Sequence, residues 1–167
     1  VTLLMRQIRS GQVRGNPQVA LRPSPADDGR QFEAARPGFP ELLFLPPAWE
    51  HTNPGDWTRI VPSPEDVAIL TNLTRHADVN INLNSTMTLD FAIHDRPVVN
   101  LGFDLRTPPP FGQPLWDFFW QFEHYRRVVD LGAARCARTP DELADALNAY
   151  LDDPSLDRQG RRRFVEL

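Results

Sequence analysis

Ser85 and Thr86 are the residues of this chain best placed to do chemistry, because they stand between a predicted strand and a predicted helix. Residues 77–83 alternate apolar and polar side chains, which predicts the strand, and residues 85–93 have helical spacing. A helix N-terminus presents unpaired N–H groups and about half a positive charge, so with nearby hydroxyls it can hold phosphate oxygens. The alternative is that Ser85 only caps the helix, which is a common role of Ser at such a position.

A second strand, predicted over 97–103, turns this stretch into a β-α-β unit. Its crossover should be right-handed, and the turn after the first strand should lie at the carboxyl edge of the sheet. Asp104 follows the second strand at that same edge, where ligands of open α/β sheets bind. The sequence therefore makes Asp104 a candidate contact for the transferred group or the acceptor, with a turn or capping role as the alternative.

The rest of the chain alternates short strands with helices, which is typical of a parallel sheet covered by helices. Further strands are predicted over 18–22, 41–45 and 57–61, with a short strand or bend over 131–137. Helices are predicted over 2–10, 64–75, 115–127, 139–151 and from 155 onward, and the polar segment 26–36 is compatible with another. We therefore expect an α/β fold with a doubly wound, Rossmann-like parallel sheet in three α/β/α layers.

Composition limits the class of protein. The chain has 167 residues, 41% hydrophobic and 24% charged, which suits one globular domain with a real core. The net charge of −4 gives no electrostatic reason to expect nucleic acid or an anionic membrane as a partner. The single Cys136 excludes an intramolecular disulfide and a cysteine-based metal site, which fits a reducing compartment. Because a helix is predicted from the first residues, we expect a fragment of a longer protein.

Aromatic residues are concentrated in segment 115–125. Three interpretations are open: a covered core or interdomain helix, a contact with a missing amino-terminal half, or a membrane-surface contact, which a poor basic face disfavours. His124 in this segment is expected to be a packed or surface side chain rather than a catalytic base, because no nucleophile motif accompanies it. The run Arg161–Arg163 is expected to be a solvated helix end.

The motifs and their order resemble the donor-binding half of GT-B fold glycosyltransferases. That half has an Ala-Asp-Val strand, a Ser-containing turn, an acid on the next helix and a Gly-basic-Pro-Val strand start. The corresponding segments here are Ala77–Val79, Asn84–Thr86, Leu89–Ala92 and Arg96–Asn100. The chain looks most like the bacterial surface-carbohydrate branch, which includes CDP-glycerol glycerophosphotransferase-like proteins.

Two more segments agree with the resemblance, which covers about residues 18–155. Leu21–Pro25 is similar to an Arg-Pro-His-Pro turn, and 57–77 is similar to the strand and helix that precede the Ala-Asp-Val strand. Two departures stand out. Ser24 occupies the place of the His in that turn, which puts any role of that His in doubt, and His94–Arg96 replaces the usual Gly before the basic residue with a different turn.

The resemblance implies roles for individual residues. Ser85, Thr86 and Arg22 would contact the donor diphosphate, although an ordinary ion pair is the alternative for Arg22. Asp90 would bind ribose or sugar hydroxyls of the donor, with a solvent-facing helix residue as its alternative, and Asp104 is assigned to the same part of the donor. The nucleobase would lie by the backbone of a three-residue segment: Val61, Pro62 and Ser63.

The function implied is transfer of a glycosyl group or polyol phosphate from a nucleotide-activated donor to a saccharide or lipid-linked acceptor in surface-polysaccharide assembly. No cofactor and no metal are expected, and the catalytic residues stay unknown, since a general base would come from the missing N-terminal Rossmann-like domain. The chain, taken as one domain over 1–167, should bind without turnover. It should be cytoplasmic, with at most peripheral membrane contact at the inner face. The alternatives are a UDP-N-acetylglucosamine 2-epimerase-like domain and a non-catalytic flavodoxin-like binding module.

Overall fold

The chain forms two compact units, Val1–Leu73 and Thr74–Leu167, in the computed structural model. The structure describes residues 1–25, 27, 29–51, 60–83, 85–105, 113–114, 116–117 and 122–166. Asn84, most of the predicted strand 57–61 and the centre of the aromatic segment 115–125 lie outside the described residues. The expectation of one domain over 1–167 with a missing partner domain stays a prediction.

The first unit contains short strands in two separate pairs. Its elements are α1 (Thr2–Arg9), β1 (Ala20–Leu21), α2 (Arg30–Glu33), a 3₁₀ turn (Arg36–Gly38), β2 (Leu43–Phe44), β3 (Trp49–His51), β4 (Ile60–Pro62) and α3 (Pro64–His76). β1 pairs with β2 in parallel, and β3 pairs with β4 in antiparallel fashion. The antiparallel pair is a correction, because the sequence predicts a parallel sheet and no strand over Trp49–His51.

The apolar core of the first unit is small. Met5 and Ile8 lie on the buried side of α1, and Val13, Phe39 and Leu42 are buried in the segments that follow. α1 ends where it is predicted to end, since Gly11 adopts a φ of +79°, a left-handed conformation that glycine accepts without strain. The unit therefore depends on few buried apolar side chains.

The second unit is built on a three-stranded parallel sheet in the order β5-β6-β7. Its elements are β5 (Asn80–Asn82), α4 (Met87–Ile93), β6 (Val98–Leu101), α5 (Glu123–Asp130), β7 (Arg135–Ala137), α6 (Pro140–Asp152) and α7 (Arg158–Val165). The predicted β-α-β unit is thus confirmed as β5-α4-β6, and the predicted strand or bend over 131–137 contains β7. The described chain is a mixed α/β protein with a parallel sheet and several helices.

Helices cover the sheet of the second unit and form its core. α4 and α6 both pack against β6, and the buried side chains Phe91, Val98, Tyr125 and Val128 belong to one apolar cluster. α6 begins as the sequence predicts, because the Thr139 hydroxyl accepts the Glu142 N–H at 3.2 Å.

Two helix predictions near the C-terminus need correction. Of the helix predicted over 115–127, Trp116, Asp117 and Glu123–Asp130 are helical in the described part, whereas Phe122 has an extended backbone, and the helix runs past the predicted end to Asp130. Arg161 is not at a solvated helix end: its side chain is completely buried and forms an ion pair with Asp95. The partner that makes this burial possible lies 66 residues away in the sequence.

Candidate functional site

The Ser85 turn follows the carboxyl end of β5 and is held by an asparagine of that strand. Asn82 Oδ1 accepts the Ser85 N–H at 3.0 Å. Its amide nitrogen donates to Asn80 Oδ1 at 2.7 Å and to Thr88 Oγ1 at 3.2 Å. Because β5 and β6 are parallel, this turn lies at the edge of the sheet where ligands of such folds bind.

The first turn of α4 uses its own backbone donors. Ser85 Oγ accepts the Met87 N–H at 3.2 Å, so Ser85 acts as a capping residue. The Thr88 N–H bonds to the Ser85 carbonyl at 3.0 Å, and the Leu89 N–H bonds to the Thr86 carbonyl at 2.9 Å. Thr86 is different, because its side chain is exposed and caps no backbone N–H. The hydroxyl left for a ligand at this turn is therefore that of Thr86.

Asp90 lies one helical turn after Thr86 and is half-buried. Burial raises the pKa of its carboxyl, and nearby His94 only partly opposes that effect. Asp104 follows β6 at the same carboxyl edge and is also half-buried. The second unit thus brings Ser85, Thr86 and Asp90 together within one loop and helix.

Arg22 is held by a buried carboxylate of the first unit. Its Nη2 lies 2.6 Å from Asp66 Oδ2, while its Nη1 is buried without a hydrogen-bond partner in the part of the chain that the structure describes. Asp66 is completely buried and also accepts the Ala48 N–H at 2.7 Å and the Trp49 Nε1–H at 2.6 Å. Burial alone would raise the pKa of Asp66, but the three donors outweigh burial and the pKa is lowered.

The segment predicted to lie by a nucleobase ends at the same network. Val61 is exposed and Pro62 pairs with Trp49 across the β3-β4 hairpin. The Ser63 hydroxyl accepts the Asp66 N–H at 3.1 Å, and the Ser63 N–H donates to the Ala48 carbonyl at 3.2 Å. Ser63 is therefore a helix cap of α3, as the Ser-Pro sequence predicts.

A depression of about 280 Å³ lies beside the proline turn that follows Arg22. Its walls include Pro23, Phe44 and Trp49, and it also exposes the carboxylates Asp27 and Glu33. Two carboxylates disfavour an anion, so this depression is a poor place for a diphosphate.

Asp66 is the residue that sequence reasoning missed. The sequence marks it only as an acid in the first turn of a helix, where a negative charge favours the helix dipole. Its burial depends on hydrogen-bond donors from Arg22 and from the start of β3, and no pattern near Asp66 in the sequence predicts them. The sequence Ser63-Pro64 does indicate a capped N-terminus of the same helix, and this was the local sign that this part of the chain is fixed.

No protein-family model, curated protein or solved structure matches the chain. Any functional assignment therefore starts from the residues themselves. Within the described ranges, no three His, Cys, Asp or Glu side chains converge as metal ligands would. No helix among those residues is both long and apolar enough to cross a membrane.

Proposed function

We propose that this chain is the donor-binding half of a GT-B-like glycosyltransferase and that its Ser85 turn holds the diphosphate of a nucleotide-activated donor. The proposal includes the finer fold, a doubly wound Rossmann-like sheet in three layers, of which the parallel β5-β6-β7 sheet would be the centre. The donor would carry a sugar or a polyol phosphate, and the acceptor would be a surface saccharide or a lipid-linked precursor on the cytoplasmic side.

One observation carries the proposal: an exposed hydroxyl and a half-buried carboxyl stand one helical turn apart at the carboxyl edge of a parallel sheet. Thr86 supplies the hydroxyl, which is not used for capping. Asp90 supplies the carboxyl, whose pKa is raised by burial and partly lowered again by His94. A diphosphate linked to a sugar or ribose needs a donor for phosphate oxygens beside an acceptor for hydroxyl groups.

The proposed roles follow from these chemical types. The Thr86 hydroxyl donates to a phosphate oxygen, Ser85 keeps the turn in shape, and Asp90 accepts from a ribose or sugar hydroxyl. Arg22 belongs to the other compact unit, where it forms an ion pair with Asp66, so its expected phosphate contact stays a prediction. Asp104 remains the proposed neighbour of the sugar, while the expected nucleobase contact of Val61, Pro62 and Ser63 in the first unit stays a prediction.

Catalysis in this proposal is electrostatic. As the bond to the transferred group breaks, negative charge grows on the leaving diphosphate, and the fixed Thr86 hydroxyl stabilises it by donating a hydrogen bond. The general base would come from the N-terminal partner domain. The chain by itself is expected to bind the donor and not to turn it over.

The test is a thermal-shift and calorimetric titration of the chain with UDP, CDP, GDP and ADP and with the matching monophosphates. A ligand that binds only the folded state raises its stability by about 2.7 kcal/mol at a hundredfold excess over Kd. We expect one diphosphate to give the largest shift, and Thr86→Ala to weaken its binding at least tenfold while leaving the melting temperature of the free chain unchanged.

Thr139→Ala is the matched control, because Thr139 also precedes a helix but its hydroxyl does cap that helix. This variant should lose stability, by about 1 kcal/mol, and keep ligand binding. If Thr86→Ala binds the diphosphate as well as the unaltered chain does, or if no nucleotide shifts the melting temperature, the donor site is not at this turn.

A non-catalytic flavodoxin-like module is the second candidate function, and a specific contact favours it. Ser85 Oγ already accepts the Met87 N–H, so the turn is complete without a ligand. In that case Ser85→Ala lowers stability by about 1 kcal/mol and no nucleotide restores it. In the transferase case, the same variant is stabilised again by the diphosphate.

A further inference from the structure

Two buried polar side chains of the second unit lack hydrogen-bond partners among the described residues. Asn100 lies in the middle strand β6 and is completely buried, and neither its Oδ1 nor its Nδ2 has a partner. Tyr125 on α5 is 2% exposed, and its hydroxyl likewise has none. Buried groups of this kind are almost always bonded to protein or to ordered water, because an unmade hydrogen bond in the interior is costly.

The strand register places Asn100 between two other polar side chains. Asn82 is its partner on β5 and Cys136 its partner on β7. Residues paired in this way on neighbouring parallel strands project to the same face of the sheet. Asn82, Asn100 and Cys136 therefore form a polar row across the sheet.

Two independent contacts bring Tyr125 to this row. Tyr125 shares its apolar cluster with Val98, which lies two residues before Asn100 on β6 and so on the same face of the sheet, and Cys136 packs against this cluster. From the other side, Thr88 Oγ1 accepts a hydrogen bond from Asn82 Nδ2 and lies near the Tyr125 hydroxyl. The Tyr125 hydroxyl nevertheless has no partner at hydrogen-bond geometry among the described residues. Burial, followed by the Cys136 thiol, raises the pKa of Tyr125, so its O–H is intact at neutral pH.

The unsatisfied side chains of Asn100 and Tyr125 therefore belong to a polar cluster whose other members are Asn82, Thr88 and Cys136. The unsatisfied groups of this cluster are the two N–H donors and the carbonyl oxygen of Asn100 and the O–H of Tyr125. A group that both donates and accepts, and that is small enough to be enclosed by buried side chains, satisfies this set. A water molecule has that chemistry, and buried waters typically make about three hydrogen bonds.

We propose that at least one water molecule is bound between α4, α5 and the sheet, bridging Asn100 and Tyr125. It completes the polar row under the Ser85 turn, because Asn82 and Thr88 link the row to that turn. The water therefore acts as a fixed part of the support for the loop. This inference does not depend on the proposed donor-binding function.

The chain offers a matched pair of tyrosines for the test. Tyr150 is as buried as Tyr125, at 1% exposed, but its hydroxyl donates to Asp157 Oδ2 at 2.8 Å. Tyr125→Phe removes a proposed water ligand, whereas Tyr150→Phe removes a direct protein hydrogen bond. Only the first should change the number of internal waters.

The experiment counts long-lived internal waters by oxygen-17 magnetic relaxation dispersion and locates them by water–protein NOEs. We expect NOEs of a bound water at the Asn100 amide and at the Tyr125 ring in the unaltered chain, and one water fewer in Tyr125→Phe. Tyr150→Phe should keep the count. An Asn100→Leu variant assigns the amide signal, and should it fail to fold, Tyr125→Phe alone keeps the comparison decisive. An unchanged count in Tyr125→Phe, or no bound-water NOE at Tyr125, would overturn the proposal.

Discussion

The two compact units each bury a charged side chain completely, and they satisfy it in different ways. In the first unit, Asp66 receives donors from Arg22, Ala48 and Trp49, which are 17 to 44 residues away in the sequence. In the second unit, Arg161 binds Asp95, and it also donates to the carbonyls of Pro154 and Leu156, which immediately precede its own helix. Every one of these donors to Asp66 comes from a separate segment, whereas Arg161 combines one distant partner, Asp95, with two carbonyls beside its own helix.

The difference matters because of what else holds each unit together. The strands of the first unit are two or three residues long and occur in separate pairs, so a few backbone bonds connect them. The second unit has a continuous parallel sheet covered by an apolar cluster. A buried charge therefore carries more of the tertiary structure where the sheet and the apolar core are small.

The largest expected effect follows from removing Asp66. Asp66→Ala leaves the Arg22 guanidinium, the Trp49 indole N–H and the Ala48 N–H without their buried acceptor, which should cost about 3–5 kcal/mol of unfolding free energy. Urea denaturation, with hydrogen exchange of the Ala48 amide as a local probe, measures this loss. Glu65→Ala, at the exposed neighbouring position, is the control and should change little. A loss below 1 kcal/mol would show that the first unit does not depend on its buried charge.

Arg161→Met should have a smaller effect. The carbonyls of Pro154 and Leu156 lose their donor, but Asp95 keeps its ion pair with Arg158, and Met fills much of the volume. We expect a loss of about 1–3 kcal/mol in urea denaturation. A loss as large as that of Asp66→Ala would show that the second unit also depends mainly on its buried charge.

Acid should weaken the Asp66 network in a defined direction. Because the folded state lowers the pKa of Asp66, the unfolded state binds more protons between the ordinary value of 3.8 and the folded value. The contribution of Asp66 is therefore complete above pH 3.8 and is lost as the pH falls through the folded pKa. Since Glu41 and Asp153 also have lowered pKa values, the measurement is the difference in acid unfolding between the unaltered chain and Asp66→Asn. Parallel acid profiles of the two proteins would contradict this prediction.

The smallest effect is expected at an exposed ion pair. Glu123 and Arg127 lie one turn apart on α5, and their closest atoms are 3.4 Å apart in full contact with solvent. Glu123→Gln should change the unfolding free energy by about 0.5 kcal/mol or less, and added salt should remove the difference. A larger change in urea denaturation would mean that exposure does not separate this pair from the two buried charges.

Local patterns predicted much of the candidate site. The period-two alternation before Ser85, the helical spacing after it and the strand from Pro97 gave β5, α4 and β6 in the right order. Strand ends were predicted too long, because β6 forms its ladder only over Val98–Leu101, where each residue has a partner on at least one neighbouring strand. Helix caps at Ser63 and Thr139 were predictable since a cap depends on residues three positions apart.

Burial of charge and of polar groups was not predictable in the same way. The basic run Arg161–Arg163 indicates a solvated helix end, yet Arg161 is buried against Asp95. Asp95 itself adopts a φ of +53° at the turn where the resemblance expects Gly, and this conformation brings its carboxylate to α7. Nothing within a few residues of either side chain indicates the other.

The sequence by itself therefore determined the local elements of this protein: the order of strands and helices, their caps and the hydroxyl-bearing turn at the edge of a parallel sheet. These follow from side-chain periodicity and from hydrogen bonds that close within one turn of chain. The folded chain alone shows which carboxylate binds Arg22 and which one accompanies the buried Arg161. Those outcomes depend on partners tens of residues away, because a buried charge or amide is stable only where the folded chain supplies its donors and acceptors.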